Sequence, residues 1–293
     1  MKNKFHETIC DEGMSKKMKI GVRAHDFGRQ AAISLATNIK EAGFDCVQLA
    51  PAKAIEGINS FADITDNHLE IIREAFNRTD VEITVLGCYI EPSLPDKAER
   101  LNNVEIFKTN LTNAKKLGVK IVGTETTGMD ITTPAAEREK IFALLKDSVM
   151  RMVEQAEKEN VIIGIEPVAE HTLNTPELTR RLLDEINSDK LKVIFDPVNL
   201  LLPCNIHTQD EIFRNMFTLL GEDIVAIHIK DIVIENNQKA WRNIGTGVVN
   251  YPLIFDWLRK HKPGIHILRE DAKLDSYKED ITAMTNFANG IYK

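Results

Sequence analysis

The sequence predicts a single (β/α)8 barrel, and three observations predict it. From residue 19 onward, short apolar, β-branched runs alternate with longer charged segments whose apolar residues recur three and four apart, the signatures of buried parallel strands and amphipathic helices. Eight such pairs fit into the chain at roughly 35 residues each, the size of a closed barrel. The first turn reads Ala24-His25-Asp26-Phe27-Gly28, without the Gly-rich phosphate loop that an open doubly wound nucleotide-binding sheet carries there.

The predicted strands are Lys19–Ala24, Asp45–Leu49, Glu82–Cys88, Val119–Thr124, Val161–Glu166, Lys192–Asp196, Ile224–Lys230 and Gly264–Arg269. Helical patterns occupy 28–42, 66–78, 96–117, 136–159, 175–187, 209–220, 251–262 and 275–291. Gly43 and Gly118 follow helix-ending sequences, and Thr175-Pro176 places a cap residue before a proline at the first helical position. The longest non-helical connection, about 235–250, follows the seventh strand. Strict alternation makes the sheet parallel, so residues 19–293 form one barrel domain. Residues 1–18 read as a polar extension, and Met14 or Met18 is an alternative start.

The formal charge of −7, from 44 acidic and 37 basic residues, argues against a nucleic-acid partner, which selects for basic surface. Cys10, Cys46, Cys88 and Cys204 are widely spaced, so neither a disulfide framework nor a zinc knuckle is expected and the thiols suit a reducing compartment. No apolar run reaches membrane-spanning length, and the N-terminus lacks a signal-type apolar segment. The expected location is the cytoplasm, with no membrane partner.

Active sites of (β/α)8 barrels lie at the C-terminal ends of the strands. Strands five and six end there in Glu166 and Asp196, strand seven carries His228 near its end, and Glu270 directly follows strand eight. Alternate strand residues share a face, which groups Ile162, Gly164 and Glu166; Ala226, His228 and Lys230; and His266, Leu268 and Glu270. If these faces point inward, the four polar groups ring the upper axis. Three carboxylates that close repel one another unless a proton or cation intervenes. One divalent ion held by Glu166, Asp196, His228 and Glu270 meets that need, and this mixed O/N set suits Mn, Mg, Co or Zn. Taken singly, each carboxylate also fits a helix cap and His228 a satisfied core histidine; the recurrence on successive strands favours the metal.

Around these positions the chain resembles the xylose isomerase-like TIM barrel superfamily of sugar and sugar-phosphate isomerases and epimerases, with its inosose isomerase and dehydratase branch and its endonuclease IV branch. The matching segments are IGIEP at 163–167, IFDPVN at 194–199, AIHIKD at 226–231, NIGTGVVNY at 243–251 and ILRED at 267–271. The resemblance implies a metal-dependent isomerase or epimerase of a sugar or sugar-like polyol ketone. In it Glu166 and Glu270 touch the metal and move a proton through an enediolate, while Asp196 and His228 complete the ligand set. An inosose-type dehydratase, or a barrel that binds sugar without turnover, stays open. The epimerase pattern Asp-x-x-His reads here Asp196-Pro-Val-Asn199, leaving Asn199 to hydrogen-bond a hydroxyl. No histidine ends strands three or four, as the endonuclease branch would need for three metals. Family analogy also implies a homodimer or tetramer.

Further candidates line the predicted mouth. Lys230 either contacts a substrate hydroxyl or phosphate or pairs with a site carboxylate. Arg242 either reaches substrate or is a solvated loop residue. His25, Glu125 and His171, at strand ends or in the loops after them, are substrate-binding candidates or caps. Trp241 and Phe27 are an apolar wall or ordinary packing, Asp231 orients a neighbour, and Gly245 and Gly247 serve a tight turn.

Overall fold

The computed structural model describes residues 17–292. Eight parallel strands close a barrel in strict sequential order: β1 Lys19–Arg23, β2 Cys46–Leu49, β3 Glu82–Gly87, β4 Ile121–Thr124, β5 Ile162–Ile165, β6 Leu191–Phe195, β7 Ile224–Ile229 and β10 His266–Arg269, the last pairing back to β1. Most of the expected extension, with Cys10 and Met14, lies outside the described residues; Met18 is already buried in the core.

Helices surround the barrel: α1 Ala32–Ala42, α3 Asp66–Thr79, α4 Lys97–Leu117, α5 Ala135–Glu159, α6 Pro176–Ile186, α7 Gln209–Leu220, α8 Tyr251–His261 and α9 Tyr277–Ala288, with a single turn, α2 Pro51–Ala54, after β2. Their ends obey local chemistry. Gly43 and Gly118 adopt left-handed conformations after α1 and α4, where a Cβ would be strained. Thr175 caps α6 through the Leu178 N–H, and Pro176 opens the helix. The first helix starts four residues later than its pattern suggests, because 24–27 forms a 3-10 turn closed by Gly28 at φ 79°.

Two apolar layers result. The larger lies between barrel and helices; the smaller fills the barrel with Cys46, Val85, Ile121, Ile194, Ala226 and Leu268. Gly164 makes room inside: a Cβ there would sit 2.8 Å from the Ile194 side chain. This inner layer sets which residues point inward at the rim above it.

The 235–250 connection is not all loop. Asp231–Glu235 (β8) and Gln238–Arg242 (β9) form an antiparallel hairpin. Asn236 and Asn237 turn it with positive φ, the backbone that two-residue hairpins require and asparagine tolerates. The cross-strand register puts Ile232, Ile234, Lys239 and Trp241 on one face and Asp231, Val233, Glu235, Ala240 and Arg242 on the other.

Candidate active site

Two residues before each expected ligand stands a residue of the barrel's interior: Gly164 before Glu166, Ile194 before Asp196, Ala226 before His228 and Leu268 before Glu270. Strand alternation therefore aims all four side chains at the axis. They are almost fully buried, at 3%, 0%, 1% and 5% exposure respectively.

Glu166, Asp196 and His228 form the tightest group, each offering a donor atom within 4.8 Å of the others. Gln48 on β2 orients the imidazole: His228 Nε2 lies 2.8 Å from Gln48 Oε1, and Gln48 Nε2 donates to the Tyr89 hydroxyl at 2.6 Å. An amide oxygen only accepts, so Nε2 carries a proton and Nδ1 is the nitrogen turned toward the carboxylates. Nδ1 lies 3.1 Å from Glu166 Oε2 and 3.2 Å from Glu270 Oε1. Neither contact has hydrogen-bond geometry; His228 Nδ1 and Asp196 Oδ2 are both buried without a hydrogen-bond partner. An imidazole nitrogen without a hydrogen-bond partner, beside a carboxylate oxygen met only by the Lys230 ammonium and a third donor, fits a divalent cation. The other Asp196 oxygen is fixed by the N–H groups of Val198 and Asn199, at 2.8 and 3.1 Å, as a ligating carboxylate usually is.

Glu270 stands outside that trio. Its Oε2 lies 2.9 Å from Lys230 Nζ, which is also 2.9 Å from Asp196 Oδ2, and Arg23 Nη1 is 3.7 Å away. Of the two roles open to Lys230, the structure shows the ion pair with site carboxylates. Charge reshapes the titration of the cluster. Burial disfavours the Glu270 carboxylate, but Lys230, His228 and Arg23 outweigh it and hold it below the ordinary carboxylate range. Burial lifts Asp196 to about 6 despite Lys230. Burial likewise disfavours a charged His228, yet Glu270 and Glu166 raise it to about 9. An imidazole that holds its proton so firmly marks a spot of strongly negative potential, which a metal ion exploits equally.

Asn199 donates to Glu166 Oε1 at 2.5 Å, so it orients a carboxylate. Glu125, after β4, is pushed to about 7 by burial and by Glu166 and Glu270; His171 lies 3.8 Å from it, and burial lowers the imidazole. His25, in the turn after β1, packs edge-on against Tyr89, and burial together with Arg23 and Lys53 brings it to about 4. These three rim the cluster. Arg242 does not join it: it lies on the outer hairpin face and pairs with Glu235. Trp241, on the opposite face, sets its ring 5.7 Å from Lys230 Nζ, whereas Phe27 packs against Phe44 in the core.

Asp231 accepts from the backbone N–H groups of Ile232, Gly245, Gly247 and Val249. It thereby ties the 245–249 loop to the end of β7. Sequence reasoning missed Gln48 and Arg23. A signal existed for Gln48, a polar residue two positions after Cys46 in an otherwise apolar strand.

No curated protein matches the chain. Among solved structures, a D-tagatose 3-epimerase-like protein is similar with a TM-score of 0.76 and 19% identity, over 93% of this chain and 97% of that one. The 3-keto-D-glucoside 4-epimerase of E. coli gives 0.73 and 17%, over 92% and 100%. The IOLI protein with a bound zinc atom gives 0.69 and 18%, over 94% and 99%. At such identities the likeness is one of fold. A family model described as the xylose isomerase-like TIM barrel matches residues 36–287, and with that span the chain belongs to the xylose isomerase-like TIM barrel family.

Proposed function

We propose that this chain is a divalent-metal-dependent isomerase or epimerase of a sugar or sugar-like polyol ketone. One relationship carries the reading: two glutamates, Glu166 and Glu270, approach the same open imidazole nitrogen of His228, at 3.1 and 3.2 Å. An ion ligated there has a carboxylate from each of two strands as its neighbour. Family membership supports the reading, as do the similar structures named as epimerases and the one holding zinc.

Glu166, Asp196 and His228 would hold the metal, with Glu270 as a fourth ligand. A bound Mn, Mg, Co or Zn ion would polarise the substrate carbonyl and acidify the neighbouring C–H. Lys230 and Arg23 keep Glu270 ionised and fixed in place, at a cost in basicity that acidification of the C–H offsets, and Glu270 takes the proton to leave a cis-enediolate. Glu166, oriented by Asn199, enters the step protonated and gives that proton to the opposite face or to the adjacent carbon; the two glutamates thereby exchange protonation states, which solvent restores. Glu125 and His171 face the substrate's hydroxyls at the rim, and His25 lines the wall beside Tyr89. The buried or free thiols Cys46, Cys88 and Cys204 suit a cytoplasmic enzyme.

The test is a panel of ketoses, inososes and their phosphates in D2O, with and without each metal after chelation. Metal-dependent deuterium wash-in without loss of mass is expected. Loss of water instead assigns a dehydratase, and tight binding without exchange assigns a binding protein. Elemental analysis runs alongside: near-stoichiometric metal that persists in Glu166→Gln and His228→Ala removes the site assignment.

A further inference from the structure

The hairpin that leaves the active-site strand presents two unlike groups on the face that carries Ile232, which is fully buried. Trp241 is a large aromatic side chain left 46% exposed, with its ring 5.7 Å from the Lys230 ammonium. Lys230 itself is ion-paired to Asp196 and Glu270, so its ammonium lies between the indole and the carboxylate cluster. Lys239 lies two residues away on the same face. Its ammonium donates to the Val198 carbonyl at 3.1 Å, and none of the carboxylates of the described residues comes within 4.0 Å of it. Glu170 acts on it only at longer range. Lys230 and Arg23 at the same mouth are each held by at least two carboxylates. Lys239 thus differs from both: it is half-buried, anchored by one neutral oxygen and free to take an anion.

The carbonyl that anchors Lys239 belongs to the residue whose N–H fixes Asp196, so its ammonium has a defined place relative to the metal-ligand candidates. Residues two apart on a strand face are separated by about 7 Å, close to the length of a short sugar chain beyond its reacting carbons.

Resting on the isomerase or epimerase reading, we propose that Trp241 and Lys239 form the specificity element of the site and that its substrate is an anionic sugar. The indole stacks on the C–H face of the sugar, and Lys239 binds a terminal phosphate or carboxylate. Trp241 supplies the apolar plate that a polyol offers its C–H groups to. Lys239 supplies a point charge without the penalty of first breaking an ion pair.

Calorimetry with three probes that share carbons one to five tests this: D-fructose, D-fructose 6-phosphate and D-fructuronate. At least one charged probe should bind about tenfold more tightly than D-fructose, the scale of one charge-assisted contact; which one does so distinguishes phosphate from carboxylate. Lys239→Met should abolish the preference, the charged probes binding no more tightly than D-fructose does to the same variant, and Trp241→Ala should weaken all three probes by about tenfold. Equal affinities in the unaltered protein, or a preference that survives Lys239→Met, overturn the anion site; unchanged binding in Trp241→Ala overturns the platform. Deuterium exchange on the same samples separates the two claims. Charge-selective binding without exchange removes the isomerase reading and keeps this one, exchange without charge preference does the reverse, and no binding of any probe removes both.

Discussion

Gln48 and His228 come from strands that lie apart in the barrel, β2 and β7, and meet at 2.8 Å between Oε1 and Nε2. The Tyr89 hydroxyl accepts from the other end of the same amide, so the amide has one satisfied orientation. Gln48→Leu removes the acceptor that fixes the imidazole's tautomer while nearly preserving volume. Metal affinity should fall by about 10- to 100-fold, as when other outer partners of metal-ligating histidines are removed. Metal titration after chelation measures it; unchanged affinity would mean that the imidazole needs no partner.

Glu270→Gln keeps the shape of the side chain and removes its charge, leaving Lys230 with Asp196 alone. Proton exchange at the substrate carbon should drop by at least about 10²-fold, the usual contribution of a positioned acid or base. Metal content should fall less than in His228→Ala, because Glu270 lies outside the three-residue group. Exchange at the original rate would remove Glu270 from the chemistry.

The barrel and the four polar strand ends were legible in the sequence because both rest on local rules. Parallel strands are continuous apolar runs, helices carry their caps, and strand parity converts position into direction. Gln48 was harder to see, since its role depends on β2 facing β7 across the barrel, and no spacing along the chain encodes that. Arg242 and Trp241 are adjacent in sequence, yet a hairpin register decides which of them faces Lys230. The hairpin carries a turn signal in Asn236-Asn237, but its two five-residue strands pair only with each other, outside the βα rhythm that marks the barrel.

Asp223 gives the fold an acid-sensitive joint far from the chemistry. Its carboxylate lies 2.6 Å from Lys192 Nζ and 2.8 Å from Arg180 Nη1. Burial opposes ionisation, but these two cations outweigh it and depress its titration below the ordinary 3.8. A carboxylate depressed on folding stabilises the native state fully above its unfolded value, and loses that contribution as pH falls through the folded one. Asp223→Asn should therefore lower the guanidinium midpoint at pH 6, and the gap to the unaltered protein should close as pH drops below 3.8. A gap independent of pH would mean that the pairing contributes nothing through charge.

The loop at 245–249 depends on a close approach that only glycine permits. A Cβ at Gly247 would sit 2.1 Å from Asp231 Oδ1 and 2.4 Å from the Ile232 carbonyl oxygen. Gly247→Ala should thus push the loop off its anchor, at about 1–3 kcal/mol, the cost of overpacking a filled site. Asp231→Ala removes the anchor itself, and buried N–H groups left without it cost about 1–3 kcal/mol each where water cannot replace it. Denaturant unfolding should rank Asp231→Ala below Gly247→Ala, and equal stability of both with the unaltered protein would sink the anchoring role.

Arg269 and Asp280 join β10 to α9 beneath this loop. Arg269 Nε donates to Asp280 Oδ2 at 2.9 Å, the side chains are 4% and 0% exposed, and Asp280 Oδ1 accepts from the Ile244 N–H at 2.7 Å. Arg269 immediately precedes Glu270, but strand parity turns it outward toward the helix, so it belongs to the frame. Arg269→Ala strands a buried carboxylate and should cost about 3–5 kcal/mol. Replacing both partners, Arg269→Met with Asp280→Leu, removes the stranded charge along with the pair and should recover much of that loss, because apolar side chains of similar volume can substitute for a buried ion pair. The Ile244 N–H loses its acceptor in the double variant, so recovery should stop short by about 1–3 kcal/mol. A double variant no more stable than Arg269→Ala would show that the pair stabilises the frame by more than relieving its own desolvation.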